Sequence, residues 1–313
     1  MADGLPRLHV VAARFNPLRW RVPEQHYRDW AQHILDSGAD LTVVEVQTGE
    51  RPFTADVPGV NHVGLRAESW AWSKESALNE GVKRIPGAKY IAWGDTDVFF
   101  EKPGWATETV HALQHYRVVQ PWSQALDLGP DGNILQVHRS FADVYATGEP
   151  LVPTGPEFWK FNGGPYDYPH SGYFWAARRE FLDWTGGLIE IAAMGSGDHH
   201  MALALAGFVE RSWPGGTAES YKNHLLRWQD RAMRFVNGRL GVVHGVVRHR
   251  FHGSKVKRGY QSRWDMFVKH GFDPDTDLKR NSYGVLEFSG NKPNLEREWD
   301  QYLRSRREDD NAV

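Results

Sequence analysis

Lys74-Glu75-Ser76-Ala77-Leu78-Asn79-Glu80-Gly81-Val82-Lys83-Arg84-Ile85-Pro86-Gly87-Ala88-Lys89-Tyr90-Ile91-Ala92-Trp93-Gly94-Asp95-Thr96-Asp97-Val98 is the stretch that decides the fold. Ala77, Leu78, Val82 and Ile85 recur at helical spacing, so the segment 70–85 packs one face on a core. Pro86-Gly87 ends that helix, and an apolar strand over 89–93 begins at once. The strand runs out into two carboxylates one residue apart. Strand alternation places Asp95 and Asp97 on the same side, with Thr96 opposite. Two like charges so placed cost free energy unless a cation or a shared proton compensates. A divalent metal on oxygen ligands meets that need, and ligands of open α/β sheets bind at the carboxyl ends of strands.

Outward from this unit, Leu8 to Ala13 suits a buried first strand, broken by Arg14-Phe15-Asn16-Pro17. Tyr27, Trp30, Ala31, Ile34 and Leu35 mark one helix face, closed by Ser37-Gly38. Leu41 to Val46 is a second strand. Strand, helix, strand, helix, strand in the first hundred residues predicts a Rossmann-like, mostly parallel sheet with helices on its faces. Further on, a helix near 105–115 leads to a strand at 117–120. Residues 123–168, rich in Gly, Pro and Asp, are expected as long loops over the sheet edge. His170 to Ala177 reads as a strand entering a helix at Arg179, stopped by Gly186-Gly187. Gly195-Ser196-Gly197-Asp198 opens an apolar helix, and Val242 to Arg250 reads as a strand. No linker divides the 313 residues.

Composition narrows the chemistry. The chain has no cysteine, which excludes disulfides, thiolate zinc sites and a Cys nucleophile. Nothing at the N-terminus resembles a signal peptide and no apolar run reaches spanning length. The expectation is no membrane contact and a cytoplasmic location (host cytoplasm if phage-encoded). The 14 Trp suit core packing and stacking walls alike. Net charge is −2, yet Phe208 to Arg263 holds twelve Lys or Arg against three acids. Such a stretch is either a solvated basic face or a surface for phosphates.

Individual residues then take candidate roles. Asp198 at a helix start is either a cap or a general base flanked by glycines that admit a substrate. His252 ends a strand ahead of Lys255, Lys257 and Arg258; an imidazole there suits a third metal ligand beside phosphate-binding cations. Arg14, Glu45 and Lys74 fall at two strand exits and a helix start, places that line one crevice in a parallel sheet.

These pieces, in this order, resemble the GT-A class of nucleotide-sugar glycosyltransferases. Lys74 to Gly81 looks like that family's Lys-x-x-Ala-Leu-Asn-x-Gly helix, and Tyr90 to Val98 looks like its Asp-x-Asp metal strand. His170 to Glu180 with Gly186-Gly187 is similar to its acceptor-side segment, and His252-Gly253 resembles a late metal-completing His. Asp198 falls where inverting members carry a Glu-Asp pair whose Asp is the base. Gly197 replaces the Glu of that pair, which leaves Glu190 as a second candidate base. The resemblance covers residues 8–265. It implies a GT-A domain over 1–285, with a nucleotide-sugar half (1–120) and an acceptor half (121–285), then a C-terminal helix and polar tail (286–313). It implies Mn²⁺ or Mg²⁺ on Asp95, Asp97 and His252, and a UDP- or GDP-sugar donor contacted by Arg14, Glu45, Lys74, Asn79, Asp95, Lys255 and Arg258. Asp95 is either a second ligand or a partner for the donor ribose.

The acceptor stays open between a glycan and duplex DNA carrying a hydroxymethylated pyrimidine, as some phage enzymes modify. A flipped base would stack on aromatics such as Trp122 or Trp175. Two other classes remain. A sugar nucleotidyltransferase also places carboxylates at a strand end but wants a Gly-rich loop after strand one. A non-catalytic carbohydrate- or DNA-binding protein would need no metal.

Overall fold

The computed structural model describes residues 6–152 and 169–310. Its main sheet has seven strands: β1 (Leu8–Arg14), β2 (Asp40–Thr48), β3 (Asn61–Ala67), β4 (Tyr90–Gly94), β6 (Val118–Gln120), β9 (Phe174–Arg178) and β10 (Leu240–Val242). They lie in the order β10-β6-β9-β4-β1-β2-β3. All run parallel except β9, which is antiparallel to β4 and β6. The protein is therefore an α/β fold with a mostly parallel central sheet flanked by helices, as the alternation of elements predicts.

Burial on both faces explains the apolar strands. Val11 joins a core cluster on one side, while Val10 and Ala12 join a cluster on the other. Each such valine stabilises by roughly 1.5–3 kcal/mol on burial. One face is covered by α1 (Arg21–Asp36) and α3 (Trp105–His115), through Tyr27, Trp30, Val110 and Leu113. The other is covered by α2 (Lys74–Lys83), α5 (Arg179–Thr185), α6 (Gly197–Leu205), α7 (Glu219–Val236), α8 (Tyr260–Lys269) and α10 (Pro293–Ser305).

A second sheet, in the order β5-β11-β7-β8, sits where the chain leaves β4. It comprises β5 (Val98–Phe100), β7 (Gln124–Leu128), β8 (Ile134–Arg139) and β11 (Val246–His249). Its registers bring His249 opposite Val98 on one side and opposite Asp127 on the other. Arg250 N–H also donates to the Asp97 carbonyl at 3.0 Å.

Several expectations are corrected. The strand β3 is absent from the sequence reading. Within 123–168, the segment expected as loop holds β7, β8 and α4 (Phe141–Thr147); residues 153–168 lie outside the described residues. Asp95 to Asp97 is a turn between β4 and β5, so strand alternation does not orient the two carboxylates. The boundary at 285/286 cuts a hairpin of β12 (Leu278–Arg280) and β13 (Leu286–Phe288). Residues 286–310 are not an appendage: Leu295, Trp299 and Leu303 belong to the main core, and buried Glu287 accepts from the Glu68 N–H at 2.6 Å.

Candidate active site

The turn after β4 and the end of β11 build one cluster. Oδ2 of Asp97 lies 2.7 Å from Nε2 of His252 and 3.7 Å from Nε2 of His249. One ligand atom from each of the three falls within 4.8 Å of the others, the spacing of a metal site. Oδ1 of Asp97 is buried without a hydrogen-bond partner, which normally costs about 1–3 kcal/mol. A carboxylate with one oxygen orphaned and the other facing two imidazoles fits a divalent cation. One oxygen and two nitrogen donors suit Mn²⁺ better than Mg²⁺, which prefers oxygen throughout.

A carboxylate stands behind each histidine, hydrogen-bonded in the case of His249. Nδ1 of His249 lies 2.9 Å from Asp127 Oδ1, so it donates there and Nε2 is presented to Asp97. Nδ1 of His252 lies 3.6 Å from Glu308 Oε2. Carboxylates behind ligating imidazoles fix ring orientation and tautomer. Asp127 also accepts from His138 at 2.6 Å, from Lys255 and from the Tyr173 hydroxyl. Burial opposes its charge, but these donors hold its carboxyl far below the usual range. Burial likewise opposes charge on His249, yet Asp97 and Asp127 raise it to about 9. The Tyr173 ring stacks between His170 and His249, with centroids 4.0 and 4.9 Å away. Its φ of 73° is strained for a non-glycine residue, and the hydroxyl anchor and the stacking hold it there.

Asp95 turns the other way. Its Oδ1 accepts from Lys74 Nζ at 2.5 Å, and it is not part of the three-residue cluster. Burial opposes charge on Lys74, but Asp95, Asp198 and Glu75 outweigh it and hold the ammonium charged. Asp198 lies in the first turn of α6, whose cap is Ser196 at φ 72°, so Asp198 is not the cap. Its Oδ1 accepts from the His199 N–H at 2.8 Å. Its Oδ2 lies over Gly172, where a Cβ would come within 2.7 Å. The structure thus gathers Lys74, Asp95, Asp97, Asp198 and His252 at the carboxyl end of β4. Arg258 Nη2 lies 3.0 Å from His252 Nε2.

Other expected donor contacts are internal braces. Glu45, paired in register with Arg14, uses both oxygens on the N–H groups of Thr54 and Ala55 and accepts from the Thr54 hydroxyl as well. Arg14 is tied to Glu24 and Thr54. Asn79 brackets Leu188, donating to its carbonyl at 3.1 Å and accepting from its N–H at 2.8 Å. Lys255 is occupied by Asp127. Glu190, the second candidate base, is held by Arg280 and Asn79. Trp122 and Trp175 are buried, their indole N–H groups donating to the Phe174 and Ser171 carbonyls, and form no stacking wall.

Two site residues escape the sequence reading. His249 is one, although it sits three positions before His252 at the same strand end. Glu75 is the other: it is 3% exposed beside Asp198 and Lys74, and burial raises its carboxyl to about 7, with Lys74 opposing and Asp198 adding.

No protein-family model and no curated protein matches the chain. Solved structures resemble it distantly. A nucleotide-diphospho-sugar transferase, so described, from Desulfovibrio desulfuricans G20 is 13% identical, over 95% of this chain and 96% of that one, with a TM-score of 0.32. The catalytic domain of Drosophila β1,4-galactosyltransferase 7, in complex with xylobiose, is 11% identical over 93% and 98%, with a TM-score of 0.38. The 4-diphosphocytidyl-2C-methyl-D-erythritol synthase of Anaerococcus prevotii is 13% identical over 78% and 90%, with a TM-score of 0.33. Likenesses this distant decide nothing about the chemistry, which rests on the residues above.

Proposed function

We propose that the chain is a metal-dependent glycosyltransferase of GT-A type, moving a sugar from a nucleoside-diphosphate sugar, UDP- or GDP-linked, to an acceptor hydroxyl with inversion. The observation that carries this reading is the convergence of a three-residue metal cluster, a lysine-bound carboxylate and Asp198 at one strand end. Asp97, His249 and His252 would hold Mn²⁺, which supplies positive charge against a leaving diphosphate. Lys74 and Arg258 bring further cations to the same place. Asp198 keeps Oδ1 fixed on a backbone N–H and leaves Oδ2 to take the acceptor's proton. Direct attack by that hydroxyl, opposite the leaving group, inverts the anomeric carbon.

A saccharide acceptor is favoured over DNA. Among the described residues, at least six of the twelve bases in 208–263 are ion-paired with acids: Lys222, Arg234, Arg248, Arg250, Lys255 and Lys257. That pairing depletes a phosphate-binding face. Nucleotidyl transfer is disfavoured because the segment after β1 is Arg14-Phe15-Asn16-Pro17, not a glycine-rich phosphate loop. The test is thermal stabilisation by UDP and GDP, with and without Mn²⁺, Mg²⁺, Zn²⁺ or Fe²⁺. Stabilisation by one nucleotide that needs the metal and vanishes in Asp97→Ala supports the proposal. Equal stabilisation without any metal sinks it.

A further inference from the structure

Two glycines create a place for two carboxyl groups on the acceptor side. The Glu75 carboxyl overlies Gly197, where a Cβ would come within 2.5 Å of Cδ and Oε1. The Asp198 carboxyl, one residue along, overlies Gly172. Any side chain at 197 would displace Glu75, so Gly197 is the residue that lets Glu75 reach Asp198. No ion pair or side-chain hydrogen bond to the Glu75 carboxyl is found among the described residues, although the residue is 97% buried by its 3% exposure. Lys74, its chain neighbour, bonds Asp95 instead. A carboxyl buried beside the base, with its own backbone N–H as its hydrogen-bond donor, is costly unless a ligand satisfies it further.

We propose that Glu75 and Asp198 together form the acceptor subsite, and that it takes a neutral vicinal diol such as two neighbouring hydroxyls of a sugar ring. This rests on the transferase reading above. Asp198 Oδ2 accepts the proton of the attacking hydroxyl, and Glu75 hydrogen-bonds the adjacent one. Lys74, the cation beside the pair, is committed to Asp95, so the two carboxyls disfavour phosphate and other anionic groups and select hydroxyls. Burial and the neighbouring Asp198 favour a protonated Glu75 carboxyl, which can donate to a hydroxyl oxygen as well as accept. A site built to bond a hydroxyl discriminates strongly against analogues that lack it.

The test uses the full chain loaded with Mn²⁺ and whichever of UDP or GDP binds. Saturation-transfer NMR then reads binding of methyl hexosides and pentosides and their monodeoxy counterparts. Wild type should bind a diol-bearing glycoside at least about tenfold better than the deoxy form. Glu75→Leu should lose that preference, and Glu75→Gln, which keeps donor and acceptor, should restore it. Gly197→Ala should reproduce the loss by pushing the carboxyl aside. Nucleotide affinity should stay within about twofold in all three variants, since none touches the metal cluster. Unchanged glycoside binding in Glu75→Leu and Gly197→Ala overturns the subsite, as does a loaded wild type that binds nucleotide but no glycoside. A wild type that binds no nucleotide with metal overturns the transferase reading itself.

Discussion

Nε2 of His252 stands 2.7 Å from Oδ2 of Asp97, although 155 positions separate the two residues. The link is made by β5 and β11, whose antiparallel register sets His249 against Val98 and brings the chain back past Asp97. If this cluster holds Mn²⁺, removing any one donor should be severe. Asp97→Ala, His249→Ala and His252→Ala should each lower Mn²⁺ affinity by about 100-fold or more while leaving the fold intact. Electron paramagnetic resonance titration of free Mn²⁺ checks this directly, and a His249→Ala protein binding as tightly as wild type would remove His249 from the site.

The outer carboxylates should matter nearly as much. Asp127→Asn and Glu308→Gln keep size but weaken the grip on His249 and His252, so Mn²⁺ affinity should fall roughly 10- to 100-fold. Glu308 is held to about 2, against burial, by Arg306 and His252. Calorimetric titration with Mn²⁺ measures the fall in affinity.

The first half of this site is legible in the sequence because its parts are close together. The helix 74–83, the Pro86-Gly87 stop and the strand into Asp95 are local patterns, and periodicity reads local patterns well. His249, Asp127 and Glu308 are joined to Asp97 only through strand register and the packing of α10. Neither leaves a mark on one-dimensional spacing. Glu75 was invisible for another reason: as the second residue of an amphipathic helix it looks like an ordinary first-turn acid, and only the bare Cα of Gly197 gives it a way in. Glu45, Asn79 and Lys255, expected as donor contacts, are all engaged by internal partners. Polar residues at strand and helix ends serve as braces as often as ligand contacts, and burial separates the two. The strand β3 does leave a mark in the sequence, since Val63, Leu65 and Ala67 alternate as a half-buried strand should.

Glu75 carries a pH signature independent of any substrate. Its carboxyl is raised from 4.5 to about 7 in the fold. Its contribution to stability is full below pH 4.5 and is lost as pH rises through 7. The shift corresponds to roughly 3 kcal/mol. Glu75→Gln should be more stable than wild type at pH 8, and the difference should vanish or reverse at pH 4.5. Urea unfolding at both pH values tests this, and parallel stability curves would contradict it.

Asn79 should behave as a brace and not as a donor contact. Asn79→Ala leaves the Leu188 N–H and carbonyl buried without their partner and should lower stability by about 1–3 kcal/mol. Its metal-dependent nucleotide affinity should match wild type within about twofold. Denaturant titration and nucleotide binding, measured on one preparation, separate the two roles.

The most direct test of the central claim is release of nucleoside diphosphate from a nucleotide sugar, followed by mass spectrometry across UDP- and GDP-linked donors. The account predicts release that requires Mn²⁺, is abolished in Asp97→Ala, and is accelerated by a neutral saccharide only while Asp198 is present. Release that proceeds unchanged in Asp97→Ala, or cleavage yielding a sugar phosphate and a nucleoside monophosphate, would contradict it.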